Sequence, residues 1–126
     1  MTIAFHHVAI IVSDLDKAAK VYGGILGLEQ DTRPDLNFEG LFYSLGNGQQ
    51  LHIMLLDNPD AQSMKPQHGG RYRHFALAVS DLDEIKHQLD VAALSYTVSK
   101  SGRAALFFYD FDGNAIELVQ VTSGLH

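Results

Sequence analysis

His7-Val8-Ala9-Ile10-Ile11-Val12-Ser13-Asp14-Leu15-Asp16 is written a second time as His74-Phe75-Ala76-Leu77-Ala78-Val79-Ser80-Asp81-Leu82-Asp83. The second copy begins 67 residues after the first (74 less 7), and seven of the ten positions are identical. A shared strand-then-helix pattern does not require that much agreement, so the chain carries an internal duplication. In 126 residues this means two supersecondary units in one domain, and each His has a twin.

Each copy reads as a strand running into a helix. In the first, Phe5 to Val12 is apolar and rich in β-branched residues, the pattern of a strand buried on both faces. Period-two alternation puts Phe5, His7, Ala9 and Ile11 on one side and Val8, Ile10 and Val12 on the other. Ser13 with Asp16 three residues on forms a capping-box-like pair, so a helix is expected to start at Ser13. Leu15, Ala18, Ala19, Tyr22, Ile25 and Leu26 form its apolar stripe, and Gly23-Gly24 is a weak point where it should tighten or end early. Gly27 closes it. Leu28 to Arg33 is a short strand candidate, and Gly40 to Leu45 and Gln50 to Leu56 are strands joined by Gly46-Asn47-Gly48, a hairpin signal.

Residues 57–70 carry Pro59, Pro66, Gly69 and Gly70 among polar spacers, which is linker composition. The boundaries expected are a first module over about residues 1–57, a linker over 58–70 and a second module over about 71–122. The second module repeats the order. Tyr72 to Val79 is its first strand, Leu82, Ile85, Leu89 and Ala92 its helical stripe, and Leu94 to Val98, Arg103 to Tyr109 and Ala115 to Val121 its three further strands.

Composition narrows the function. The net charge is -6 and no Lys or Arg run occurs, so the electrostatic footprint of a nucleic-acid or anionic-membrane partner is missing. A small-molecule ligand fits better. The chain has no cysteine, which excludes disulfides, thiolate nucleophiles and sulfur ligands, and makes cytoplasm the default compartment. No apolar run is long enough for a membrane span, and Met1 to Phe5 lacks the basic start of a signal peptide.

The duplication also pairs side chains with chemistry. Gly48 precedes His52 by four residues and Gly113 precedes Glu117 by four, so His52 and Glu117 hold equivalent places on equivalent last strands. If the modules pack about a pseudo-twofold axis with helices outside, His7, His52, His74 and Glu117 face a shared trough, beside the small residues Ala9, Ala76 and Ala78. Imidazoles with one carboxylate suit zinc, iron, manganese, nickel or cobalt. A His met singly in a strand is more often a hydrogen-bonded core residue than a ligand; the repeat is what raises these four above that reading.

With these residues in view the chain resembles the vicinal oxygen chelate superfamily, which includes glyoxalase I, bleomycin-resistance proteins, fosfomycin-modifying enzymes, methylmalonyl-CoA epimerase and extradiol dioxygenases. The resemblance rests on His7-Val8-Ala9 before Asp14-Leu15-Asp16, on Tyr22 followed by Leu26-Gly27-Leu28, and on Asp110 to Leu118, and it covers essentially the whole chain. It implies an α+β fold of two tandem βαβββ modules forming a cupped, half-open barrel with helices outside. It implies that His7, His74 and Glu117 match the common His, His, Glu metal set and that His52 matches the fourth ligand position of glyoxalase I. That position is often Glu in glyoxalases, so His52 argues against a two-carboxylate proton shuttle, although a His that leaves the metal can act as base. Phe111 stands where the Asp-Pro-Asp-Gly turn of such proteins has Pro.

Arg103, after Ser101-Gly102 at the mouth of a strand, is the preferred substrate contact, with Tyr43 and Tyr109 as possible donors to a bound oxygen. Arg71 and Arg73 read as solvated surface. His6, His68 and His87 are left outside the site. The function expected is a divalent-metal-dependent, glyoxalase-like enzyme of lyase or isomerase type, in which Glu117 and His52 are the catalytic residues and a homodimer is the working form. The alternatives are a metal-free, bleomycin-resistance-like binding protein and, among enzymes, an extradiol dioxygenase or a fosfomycin-type thiol transferase.

Overall fold

The computed structural model of the protein describes residues 1–122. The chain divides into two compact units, one from Met1 to Asn58 and the other beginning at Pro59. Both are α+β, and each is built on one four-stranded mixed sheet.

The first unit runs β1 (His7–Val12), α1 (Leu15–Ala19) continued by a π-helix (Lys20–Ile25), β2 (Gln30–Asp31), β3 (Gly40–Gly46) and β4 (Gln49–Leu55). Its sheet order is β1-β4-β3-β2, with β1 parallel to β4 and the other pairs antiparallel. The second unit runs β5 (Phe75–Val79), α2 (Leu82–Val91), β6 (Tyr96–Val98), β7 (Ala105–Tyr109) and β8 (Ala115–Gln120), in the order β5-β8-β7-β6. This is the same winding, again with one parallel pair, β5 with β8. Both units are thus the βαβββ modules expected, in tandem. Neither sheet closes on itself, since β1 and β2 are edges of the one and β5 and β6 of the other.

Several local expectations change. β1 is buried on one face only: Ile10 and Val12 are buried, while His7 and Ala9 are exposed. The helix cap is Asp14 rather than Ser13; its extended backbone lets the carboxylate accept from Lys17 N at 3.0 Å. Asp81 caps α2 in the same way, accepting from Glu84 N at 3.2 Å. A carboxylate at that end also meets the positive end of the helix dipole, which a Ser cannot do as well. At Gly23-Gly24 the helix widens instead of tightening. Leu26 N donates to Val21 O at 2.9 Å, one residue further back than in an α-helix, and this shift of phase buries Val21 beside Tyr22. Gly23 packs closely there: a Cβ would lie 3.3 Å from the Tyr43 hydroxyl, which favours a residue without one.

The hairpin between β3 and β4 closes through Asn47-Gly48, both at positive φ (53° and 75°), as a two-residue mirror-image turn requires. Each core lies between helix and sheet. In the first unit it holds Ile10, Val12, Ala18, Val21, Tyr22, Tyr43, Leu51 and Ile53, and in the second Leu82, Ile85, Leu89, Leu106, Phe108, Ile116 and Leu118. The opposite face of each sheet is therefore left for other work. No helix among the described residues is long and apolar enough to cross a membrane.

Candidate functional site

The duplication reaches side-chain register. On the first sheet Ala9 lies opposite His52, and on the second Ala76 lies opposite Glu117. In each case the repeated His, His7 at the start of β1 or His74 just before β5, stands two residues before that alanine, on the same side as the residue on the last strand. A phenylalanine completes each set: Phe42 is directly opposite His52, and Phe107 directly opposite Glu117. The two faces, each described by itself, differ in what surrounds the pair.

On the first sheet the rings stack. His7 and His52 have centroids 4.0 Å apart at 16°, and Phe42 covers the other side of His52 at 3.6 Å and 2°. His52 Nε2 lies 2.9 Å from Gln50 Oε1, while Gln50 Nε2 donates to Asp31 Oδ2 at 3.0 Å. The carboxylate can only accept, so it orients the Gln50 amide, whose oxygen then accepts from His52. The proton of neutral His52 is therefore on Nε2, and Nδ1 carries the lone pair. Burial pushes the His52 pKa below 6.5, helped by the nearby His7, His6 and Arg33. The ring is neutral at physiological pH. Because lone pairs lie in ring planes, one ion cannot sit in the planes of both stacked rings; joint ligation by His7 and His52 requires one of them to turn.

On the second sheet the pair is His74 and Glu117. His74 Nδ1 lies 2.6 Å from the Tyr72 carbonyl oxygen and so donates to it, which directs Nε2 at Glu117 Oε1, 3.1 Å away. The other carboxylate oxygen accepts from Arg103 Nη2 at 2.6 Å. Glu117 is buried, with an 8% exposed side chain, whereas that of Arg103 is 56% exposed. Phe107 presents its ring edge-on to His74 at 5.3 Å. Second-sphere carbonyls that fix an imidazole in this way are what a metal-binding His uses.

These contacts test whether a metal fits. With Nδ1 committed to Tyr72, neutral His74 turns a lone pair toward a carboxylate lone pair at 3.1 Å. That contact needs a proton or a cation to be favourable. The set of imidazoles and one carboxylate without sulfur fits a divalent ion of the zinc, iron, manganese, nickel or cobalt kind. Among the described residues no three His, Asp or Glu side chains are gathered closely enough to hold an ion, and each unit supplies one pair.

The remaining residues fall out as follows. Arg103 is at the site but engaged with Glu117. Tyr109 is on the Glu117 face, where its hydroxyl donates to Pro66 O at 2.5 Å. Tyr43 is on the opposite face from His52, 3% exposed among core side chains, with its pKa raised by burial. It packs beside Gly23 rather than beside the imidazoles. Arg73 reaches Asp60 at 3.3 Å on the surface, as its solvated reading anticipates.

Sequence reasoning passed over two histidines. His6 lies against His7, their Nδ1 atoms 2.8 Å apart, although alternation points it away. His68 packs edge-on to Phe107 at 4.8 Å and bonds Thr97 Oγ1 at 2.6 Å. It gets there because residues 59–70 fold back on the second sheet, where Gly69 sits against Ala115 and Phe107. No periodicity in that stretch announces such docking.

Comparison with known proteins agrees with the fold. The family model of the Glyoxalase/Bleomycin resistance protein/Dioxygenase superfamily matches residues 4–118. An ethylmalonyl-CoA/methylmalonyl-CoA epimerase from Cereibacter sphaeroides is 31% identical over 130 residues, covering 92% of this chain and 96% of its own. The glutathione transferase FosA of Serratia marcescens is 28% identical over 118 residues, covering 91% and 79%. Among solved structures, the fosfomycin resistance protein FosX of Listeria monocytogenes superposes with a TM-score of 0.72 at 21% identity, over 99% of this chain and 94% of that one.

Proposed function

Since the chain belongs to the Glyoxalase/Bleomycin resistance protein/Dioxygenase superfamily, and relatives along nearly its whole length are enzymes, we propose that it is a metal-dependent enzyme of isomerase or lyase type. Its substrate is a small molecule with two neighbouring oxygens. His7, His74 and Glu117 would hold the ion, and His52 would be the fourth ligand if its ring turned out of the stack. The observation that carries this reading is the shared register, Ala9 opposite His52 and Ala76 opposite Glu117, which gives each module one matched pair.

A bound divalent ion would supply Lewis-acid stabilisation of negative charge on the substrate oxygens. The chain's own groups handle the proton. His52, neutral with Nε2 tied to Gln50, takes a proton at Nδ1, and the Asp31 carboxylate behind Gln50 stabilises the imidazolium that results. Phe42 and Phe107 shield the two pairs from water on one side each. Glu117 would bring negative charge to a bound ion, and Arg103 holds that carboxylate in place. The working form is a cytoplasmic homodimer.

The test is metal content and chemistry together. Protein loaded in turn with zinc, iron, manganese, nickel and cobalt is expected to retain one ion per site, and His74→Ala to lose it. Exchange of the α-proton of 2-substituted acyl thioesters for deuterium would then report isomerase chemistry. Unchanged metal content in His74→Ala removes the ligand assignment.

A second reading has its own observation. Arg103 and a protonated His74 together satisfy both oxygens of Glu117 without any ion. A metal-free binding protein in the manner of bleomycin-resistance relatives would use that arrangement, and it would show ligand binding with no metal retained.

A further inference from the structure

We propose that Arg33 forms an anion subsite on the open face of the first unit's sheet, where it takes a carboxylate group of the substrate. This rests on the reading of His52 as part of the active site, and it names the substrate class. Each module places an arginine in the segment leading into its third strand, Arg33 before β3 and Arg103 before β7. Each such strand then carries the phenylalanine that faces the last-strand residue, Phe42 or Phe107.

The difference lies in what the arginine finds. Arg103 meets Glu117 at 2.6 Å and its charge is compensated. The residue of the first module in the place of Glu117 is His52, an imidazole. Among the described residues no Asp or Glu lies within ion-pair distance of Arg33. In a chain of net charge -6 this leaves an uncompensated cation beside the candidate site.

Its position is fixed in advance. Arg33 Nη2 donates to the Phe38 carbonyl at 2.9 Å, and the guanidinium carbon lies 4.9 Å from the Phe38 ring centroid and 5.8 Å from that of Phe42. Nε is buried with no hydrogen-bond partner. It rests on the bare backbone of Gly40, where a Cβ would come within 3.0 Å of it. Phe42 is the ring that stacks on His52, so the guanidinium and the imidazole share one aromatic neighbour. A guanidinium held by a carbonyl and two rings loses little freedom on binding, and its fork matches a planar carboxylate.

Malonate is a suitable probe, with malonamide as its uncharged isostere. In the metal-free protein, titration with malonate is expected to shift the Arg33 side-chain N–H signal and the Phe42 ring signals saturably, and malonamide to leave them still. Arg33→Gln should weaken malonate binding at least tenfold, and Arg33→Lys should weaken it less, because charge is kept and the fork is lost. If Arg33→Gln loosens the turn that Phe38 anchors, Arg33→Lys and the wild-type shifts carry the test alone. Equal malonate affinity in Arg33→Lys and wild type with no movement of the Arg33 signal would overturn the subsite, as would a response that chloride reproduces. Retention of divalent ions by the same protein, loaded and washed in a separate experiment, separates the two readings. Malonate binding at Arg33 in protein that retains no metal sustains the subsite and removes the metal enzyme, and metal retention without an Arg33 response does the reverse.

Discussion

Gln50 turns its side-chain oxygen to His52 Nε2 at 2.9 Å because its amide nitrogen is claimed by Asp31 at 3.0 Å. The relay fixes which nitrogen of the imidazole is free. Gln50→Leu should therefore release the ring to both tautomers, visible as a change in the His52 nitrogen chemical shifts at neutral pH. Stability should fall by about 1 kcal/mol, the usual net worth of such a hydrogen bond. Wild-type-like shifts in the variant would show that stacking alone sets the tautomer.

Acid should loosen the metal-free protein through His52. Its folded pKa is held below 6.5 by burial, with His7, His6 and Arg33 adding to the effect. As pH falls through 6.5 the unfolded chain gains a proton before the folded protein does, so stability drops on acidification in the window beginning there. His52→Phe keeps the stack with Phe42 and removes that proton. Denaturation midpoints followed from about pH 7 down to about pH 5 should slope less steeply in the variant; parallel slopes would assign the loss to other groups.

Glu117→Gln tests the second unit. The amide keeps the shape and removes the charge that Arg103 and His74 share. Because Arg103 is largely exposed, the expected stability loss is modest, about 1 to 2 kcal/mol. Metal retention should fall far more than stability does. A variant that binds metal as wild type does would take Glu117 out of the ligand set.

One site offers stability without touching function. Ala93 ends α2 at φ 58°, with Leu94 N donating to Leu89 O at 2.9 Å, the closing bond that Leu28 N makes to Tyr22 O after the first helix. There the left-handed position is Gly27, at φ 66°. Ala93→Gly should stabilise the protein by about 1 kcal/mol, a rise in Tm of about 4 °C, with metal content unchanged.

The repeat made most of this architecture readable. His7 and His74 with their trailing Ser-Asp-Leu-Asp located both strands and both helices, and the four-residue spacing from Gly48 and Gly113 placed His52 and Glu117 on one kind of face. What stayed hidden depended on contacts far apart in sequence. Tyr43 and Phe42 are adjacent and equally plausible at a site, and only pairing register decides that Phe42 meets His52 while Tyr43 joins the core. His68 was illegible because a Gly-Pro segment without periodicity docks on Phe107. Arg33 carried no motif at all. The cap moved from Ser13 to Asp14 because both residues suit an N-terminus and the charged one gains more from the helix dipole.

A gene duplication begins with two identical halves, so the difference between His52 and Glu117 arose afterwards. Which residue was ancestral does not change the consequence. Had both halves kept the carboxylate, the chain would lack the neutral imidazole of His52, while Arg103 would still be engaged with Glu117. Had both kept the imidazole, neither module would bring the ion a negative charge. On the proposed reading, divergence at one position divides the labour: one half would hold charge, and the other would carry a neutral base beside the arginine proposed to take the substrate's carboxylate. A chimera carrying two second modules would inherit the scaffold and forfeit that division.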